Sequence, residues 1–258
     1  MGNKYLMGIA FLTITLFVVV LSGCTSQTTS TSTTPTSQAP VSTAVAASNP
    51  VGNLPSGAPA VQNSGTTTTV SGSQGGDFTG PVAKGGYLFS IQTQDANYPH
   101  LELDFAGNEF NHPAQYSQGA SGWYEESFIQ GIPVSEGGKF TVKASAPYTI
   151  TISKVPTGTP LAAPQTFTGK GGKALGPVAL KAGKATIDIK SMNTVASFTV
   201  NTWDVTKEQP GALANNFESG KIVSDYQAQK TLDVPADGSY YFIVLTSGQN
   251  SWQVDVSQ

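Results

Sequence analysis

From Gly76 onward, apolar and polar residues alternate in short runs. Tyr87, Phe89 and Ile91 share one side of a strand, with Leu88 and Ser90 on the other. Leu101, Leu103 and Phe105 repeat the pattern around Glu102 and Asp104, Phe140 and Val142 follow, and threonines separate Tyr148, Ile150 and Ile152. Period two, interrupted by Gly, Pro and Asn, predicts β-strands. The proline-rich stretch 155–165 reads as a linker. Beyond it strands return at Val178 and Leu180, at Ala185, Ile187 and Ile189, and from Phe198 to Trp203. Ile222-Val223, Leu232 to Val234, Tyr240 to Leu245 and Trp252 to Val256 complete the series. Trp203 and Trp252 fall at core positions of these patterns. Residues 108–130 and 204–219 keep the pattern poorly and read as loops or irregular edge strands. No stretch carries a helical period beyond a single turn near 213–217.

The first 75 residues follow other rules. Lys4 precedes an apolar run, 9–20, which is short for a membrane span of roughly 20 residues and has the layout of a secretory signal. It ends in Leu21-Ser22-Gly23-Cys24, and Cys24 is the one cysteine of the chain. This stretch resembles the lipobox of bacterial and archaeal lipoproteins. The resemblance implies that 1–23 is removed, that Cys24 carries lipid, and that the rest of the chain faces the outside of the cell membrane (or the periplasm, in an organism with two membranes). Ser and Thr dominate from there to 75, with five prolines (Pro35, Pro40, Pro50, Pro55, Pro59) and no aromatic residue before Phe78. So little apolar surface cannot offset the entropy of ordering, and 24–75 is expected to be a disordered tether.

Composition narrows the field. Only 11% of residues are charged, and the formal net charge is −3. Exposed helical faces would demand more Glu, Lys and Arg than that. A weakly acidic chain without a basic cluster has no electrostatic footprint for nucleic acid. With a single cysteine there is no disulfide within the chain, so packed apolar faces must supply the stability.

The pattern also repeats itself. Gly80-Pro81-Val82-Ala83 recurs as Gly176-Pro177-Val178-Ala179, Val134 to Phe140 matches Val234 to Tyr240, and Tyr148-Thr-Ile-Thr-Ile152 matches Trp252-Gln-Val-Asp-Val256. Order is kept while the offset grows slightly, as small loop insertions would cause. The second copy is similar to a β-sandwich repeat of bacterial and archaeal surface proteins. Phe167 to Gly171, Leu180 to Gly183, Asp237 to Tyr241 and Trp252 to Val256 carry the likeness. These residues mark turns and core positions, and the resemblance implies a fold with no catalytic residue.

Candidate chemistry is sparse. His100, His112 and Glu102 are the residue types that bind zinc, but their spacing matches no local ligand pattern, and no metal or cofactor is expected. Glu125 and Glu126 would point to opposite faces of a strand, so a hydrolytic pair would need a distant carboxylate such as Asp104. Gly169 to Lys173 lacks the spacing of a phosphate loop. The aromatics are more suggestive. Tyr98, Tyr116, Trp123 and Tyr124 fall in the loop-rich part of the first copy, and flat rings beside amides suit the apolar face of a sugar. Capping of the sandwich core is the alternative use for Trp123 and Tyr124.

The expectation is therefore an all-β chain with two tandem antiparallel β-sandwich domains of Greek-key or jelly-roll type. Its parts are a signal (1–23), a tether (24–75), repeat 1 (76–155), a linker (156–163) and repeat 2 (164–258). The expected function is that of a monomeric, lipid-anchored, non-enzymatic binding or structural module at the cell surface, with a glycan or a surface protein as ligand. A carbohydrate-binding module is the first alternative and a surface hydrolase the second.

Overall fold

The computed structural model describes residues 59–80, 83–94, 102–105, 108–110, 117–118, 124–132, 139–192, 197–218, 221–222, 225–246 and 250–258. Within these, 102–118, 124 and 217–222 are described as backbone alone. The fold is all-β, and no helix occurs among the described residues.

The first half holds β1 (Ala60–Ser64), β2 (Thr67–Gly72), β3 (Gly76–Thr79), β4 (Gly85–Thr93), β5 (Glu102–Phe105), β6 (Asn108–Phe110), β7 (Ser117–Gln118), β8 (Tyr124–Ile132), β9 (Lys139–Lys143) and β10 (Tyr148–Lys154). They pair antiparallel into two sheets, ordered β1-β2-β10-β4-β8-β7 and β3-β9-β5-β6. The second half holds β11 (Leu161–Ala162), β12 (Gln165–Lys170), β13 (Lys173–Leu180), β14 (Gly183–Met192), β15 (Phe198–Asp204), β16 (Gln209–Asn215), β17 (Phe217–Glu218), β18 (Lys221–Ile222), β19 (Gln227–Val234), β20 (Gly238–Thr246) and β21 (Ser251–Ser257). Its sheets run β12-β21-β14-β19 and β11-β13-β20-β15-β16, with β17 and β18 as a separate ribbon.

The duplication is visible in this topology. β2-β10-β4-β8 has the strand order of β12-β21-β14-β19, and β3-β9-β5-β6 that of β13-β20-β15-β16. A shared packing device confirms the match. Tyr148 opens β10 opposite Gly72, and Trp252 sits near the start of β21 opposite Gly169. A Cβ at Gly72 would lie 2.9 Å from the Tyr148 hydroxyl, and one at Gly169 would lie 2.5 Å from the Trp252 ring. Each ring then donates a hydrogen bond two residues past its glycine: Tyr148 Oη to the Gln74 carbonyl (3.2 Å) and Trp252 Nε1 to the Gly171 carbonyl (2.8 Å).

The period-two residues fill two hydrophobic clusters. One gathers Val70, Phe78, Phe89, Phe128, Phe140, Tyr148, Ile150 and Ile152, with Phe78 stacked on Phe140 at 5.0 Å and Phe89 on Phe128 at 4.9 Å. The other gathers Phe167, Ile187, Ile189, Phe198, Tyr240, Phe242, Trp252 and Val254. Trp203, Tyr241 and Ile243, although on β15 and β20 of the second copy, pack into the first cluster. All described residues belong to one compact unit.

Two sequence expectations change here, for the start of the strands and for the linker. Among the described residues strands begin at Ala60 instead of Gly76, because β1 and β2 form a hairpin that extends the sheet next to β10. Residues 60–72 therefore leave the expected tether. The stretch 204–219 contains β16, an irregular edge strand of the kind expected there, paired with β15 through a register shift near Val200. Within 156–163, Leu161 and Ala162 pair parallel with β13, and the Pro156 carbonyl accepts a 3.2 Å hydrogen bond from Tyr241.

Candidate functional site

Of the residues expected to matter, Cys24, Tyr98, Tyr116 and Trp123 lie outside the described residues, as do His100 and His112. Tyr124 is placed as backbone: it opens β8 opposite Thr93 of β4 and Gln118 of β7. Thr93 in turn faces Tyr148, and Glu102 faces Lys143. Lys143 and Tyr148 flank one short turn, so the described strand ends next to the expected aromatics share one end of the first sandwich. That end is braced. Thr93 Oγ1 and the Gln94 amide both donate to the Pro147 carbonyl, at 3.1 and 2.9 Å. Tyr148 is fully buried there, and burial pushes its hydroxyl up to about 12. It is a core residue, unavailable to a ligand.

The two carboxylates placed on β8 do not converge. Glu125 accepts a hydrogen bond from Gln92 Nε2 at 3.3 Å and pairs with Lys173 at 3.5 Å. Glu126 is buried on the opposite side of β8, against Gly172. Asp104 stands opposite Thr141 and Glu109 in the other sheet. Among the described residues, no group of three or more His, Cys, Asp or Glu side chains gathers as metal ligands would.

An open groove that the sequence reading missed lies at one side of the second sandwich. It has a volume of about 290 Å³ and is lined by Thr199, Asn201, Leu213, Asn215, Tyr226 and Lys230. β16 and β19, the last strands of their sheets, meet there. Its polar lining could accept a hydrogen-bonding ligand. The one hint in the sequence was Lys230, which takes an inward position in register with Leu232 and Val234 on an edge strand.

One tight turn closes the far end of β15. Asp204 accepts from the amides of Thr206 (2.9 Å) and Lys207 (3.0 Å). Burial would raise its pKa, but these bonds and the Lys207 ammonium outweigh burial and hold it below the usual value.

No protein-family model matches the chain, and no curated protein matches it. Solved structures similar to it include the plant receptor-like kinase FER, 10% identical, with a TM-score of 0.26 over 74% of this chain and 83% of that one. A conserved protein of unknown function from Pseudomonas aeruginosa is 12% identical, with a TM-score of 0.24 over 74% and 80%. The N-terminal CBM22-1–CBM22-2 tandem domain of Xyn10C from Paenibacillus barcinonensis is 10% identical, with a TM-score of 0.23 over 77% and 90%. Likeness at these scores carries no functional weight.

Proposed function

We propose that the protein is a lipid-anchored surface module that binds or supports other surface components without catalysing a reaction. The observation that carries this reading is the run Leu21-Ser22-Gly23-Cys24 behind an apolar leader, in a chain with one cysteine. A pair of β-sandwich repeats following such a leader suits display outside the cell, where stability without disulfides must come from packed cores. The test is Cys24→Ser in the full chain. Loss of the protein from the membrane fraction, or retention of the leader, is expected; unchanged fractionation with normal leader removal rejects the anchor.

Carbohydrate binding is the second reading. It is favoured by the shared end of the first sandwich, from which Tyr124 and the strands flanking Tyr98, Tyr116 and Trp123 depart. A glycan array probed with the full chain and with Trp123→Ala separates the two readings. Glycan signal that depends on Trp123 supports sugar binding, and an empty array leaves the structural role.

A further inference from the structure

We infer that β1 is a docking edge for a second copy of this chain, which pairs its own β1 antiparallel across a two-fold axis at Gln62. A free sheet edge exposes unpaired N–H and C=O groups, and folded proteins guard such edges with charge, proline, bulges or shortness. The other edges are guarded in this way. β3 carries Asp77, β6 carries Glu109, and β19 carries Lys230 and Asp233. β11 is two residues long, β12 ends on Lys170, and β16 combines Pro210 with a register shift. β8 is covered beyond β7, where the Ser127 amide donates to the Gly172 carbonyl and the Ala174 amide to Ser127 Oγ.

Among the described residues β1 has no such guard within its own length, Pro59 lying just before it. Ala60-Val61-Gln62-Asn63-Ser64 contains no charge and no proline, and its register with β2 is unbroken. Val61 is 39% exposed, one of two large hydrophobic side chains exposed among the described residues. It stands opposite the fully buried Val70, on the core side of a sheet that is two strands wider than the one covering it.

The turn sets the register of the proposed pair. Gly65 has φ 58°, and with Thr66 it forms a two-residue turn that closes Ser64 on Thr67. Hydrogen-bonded pairs alternate along antiparallel strands, so Ser64, Gln62 and Ala60 bond to β2 while Val61 and Asn63 direct their backbone groups outward. Pairing centred on Gln62 sets Val61 of each copy against Asn63 of the other and satisfies all four outward groups of each strand. An uncharged edge selects no charged partner, whereas a two-fold arrangement uses the same edge twice and then closes. β1 also follows directly on 25–59. On the anchoring reading, copies in one membrane therefore carry this edge at equal chain distance from the lipid.

At the axis the two Gln62 residues form a non-hydrogen-bonded pair, with Cα atoms about 4.5 Å apart, within the range a disulfide spans. The experiment uses the full chain with Cys24→Ser, so that an introduced thiol is the only one. Gln62→Cys should form a disulfide-linked dimer under mild oxidation at least ~10-fold faster than Gln227→Cys on the guarded edge of β19, a gap of about 1.4 kcal/mol in barrier. Adding Val61→Lys, which places a charge on this exposed edge, should remove the advantage. Equal rates at 62 and 227, an unchanged rate with Val61→Lys, or a preference for mixed 62–227 dimers when the two variants are combined would each overturn the proposal.

Discussion

At the scale of single residues, the two repeats are held by rings laid across glycines. Gly169 has no room for a side chain, because Trp252 occupies the space a Cβ would need. Gly158, by contrast, has nothing within 4 Å of that position. Gly169→Ala should therefore destabilise the chain by about 1–3 kcal/mol, and Gly158→Ala should stay within about 0.5 kcal/mol of the wild type. Denaturant midpoints measure both. The tyrosines give a second expectation. Burial pushes Tyr148 and Tyr241 up to about 12. Between pH ~10 and ~12 the unfolded chain has released protons that the folded chain keeps, so stability falls as pH rises, by at most about 2–3 kcal/mol per tyrosine. Below pH ~10 both forms hold the proton and the effect is absent. Tyr148→Phe and Tyr241→Phe should each flatten the alkaline fall in urea midpoint; an unchanged slope in both would reject buried hydroxyls as its source. Cys24, Tyr98, Tyr116 and Trp123 lie outside the described residues, so for these side chains themselves the support comes from the sequence.

At the scale of elements, legibility followed how many inward positions carry an apolar side chain. β4, β10, β14, β15, β20 and β21 were legible because large apolar residues fill most of their inward places. β2 was not, for a specific reason. Its inward residues are Thr68, Val70 and Gly72, all buried, and the last is a glycine because Tyr148 takes its space. A strand that contributes space to a neighbour's ring looks, in sequence, like more Ser/Thr tether. β16 was legible only as an irregular stretch, because a proline and a register shift disturb its alternation. The β2 finding moves the boundary of the folded part and can be tested. A fragment starting at 59 should fold, while one starting at 76 loses the strand between β1 and β10 and bares Ile150 and Ile152. We expect the shorter fragment to lose several kcal/mol, since each large buried side chain contributes about 1.5–3 kcal/mol. A 76–258 fragment as stable as 59–258 would mean that the hairpin is dispensable.

At the scale of the whole molecule, the duplication predicts two tandem domains, and the packing argues for one cooperative body. Gly86 and Gly131 face each other on β4 and β8, on the side away from the first sandwich's own core. A Cβ at Gly86 would overlap the Trp203 indole, and one at Gly131 would touch it at 3.4 Å. Trp203 is thus a wedge from the second copy seated in a slot of the first, beside Leu88, Ile129, Tyr241 and Ile243. Its Nε1 is buried without a hydrogen-bond partner, so it is held by shape and area alone. The sequence contained the signal in the unbroken apolar run Tyr240 to Leu245, since a strand buried on both faces loses its alternation. The Ser127 amide bonded to Gly172, the Ala174 amide bonded to Ser127 Oγ and the Lys173–Glu125 pair join the same two copies. Calorimetry of the wild type should therefore show a single transition. Trp203→Ala should cost about 3–5 kcal/mol and, by opening the slot, divide the melt into two transitions, one per cluster. Trp203→Phe, which keeps part of the ring and gives up no hydrogen bond, should lose less and melt as one. Two resolved transitions in the wild type would show that the wedge fills space without coupling the repeats.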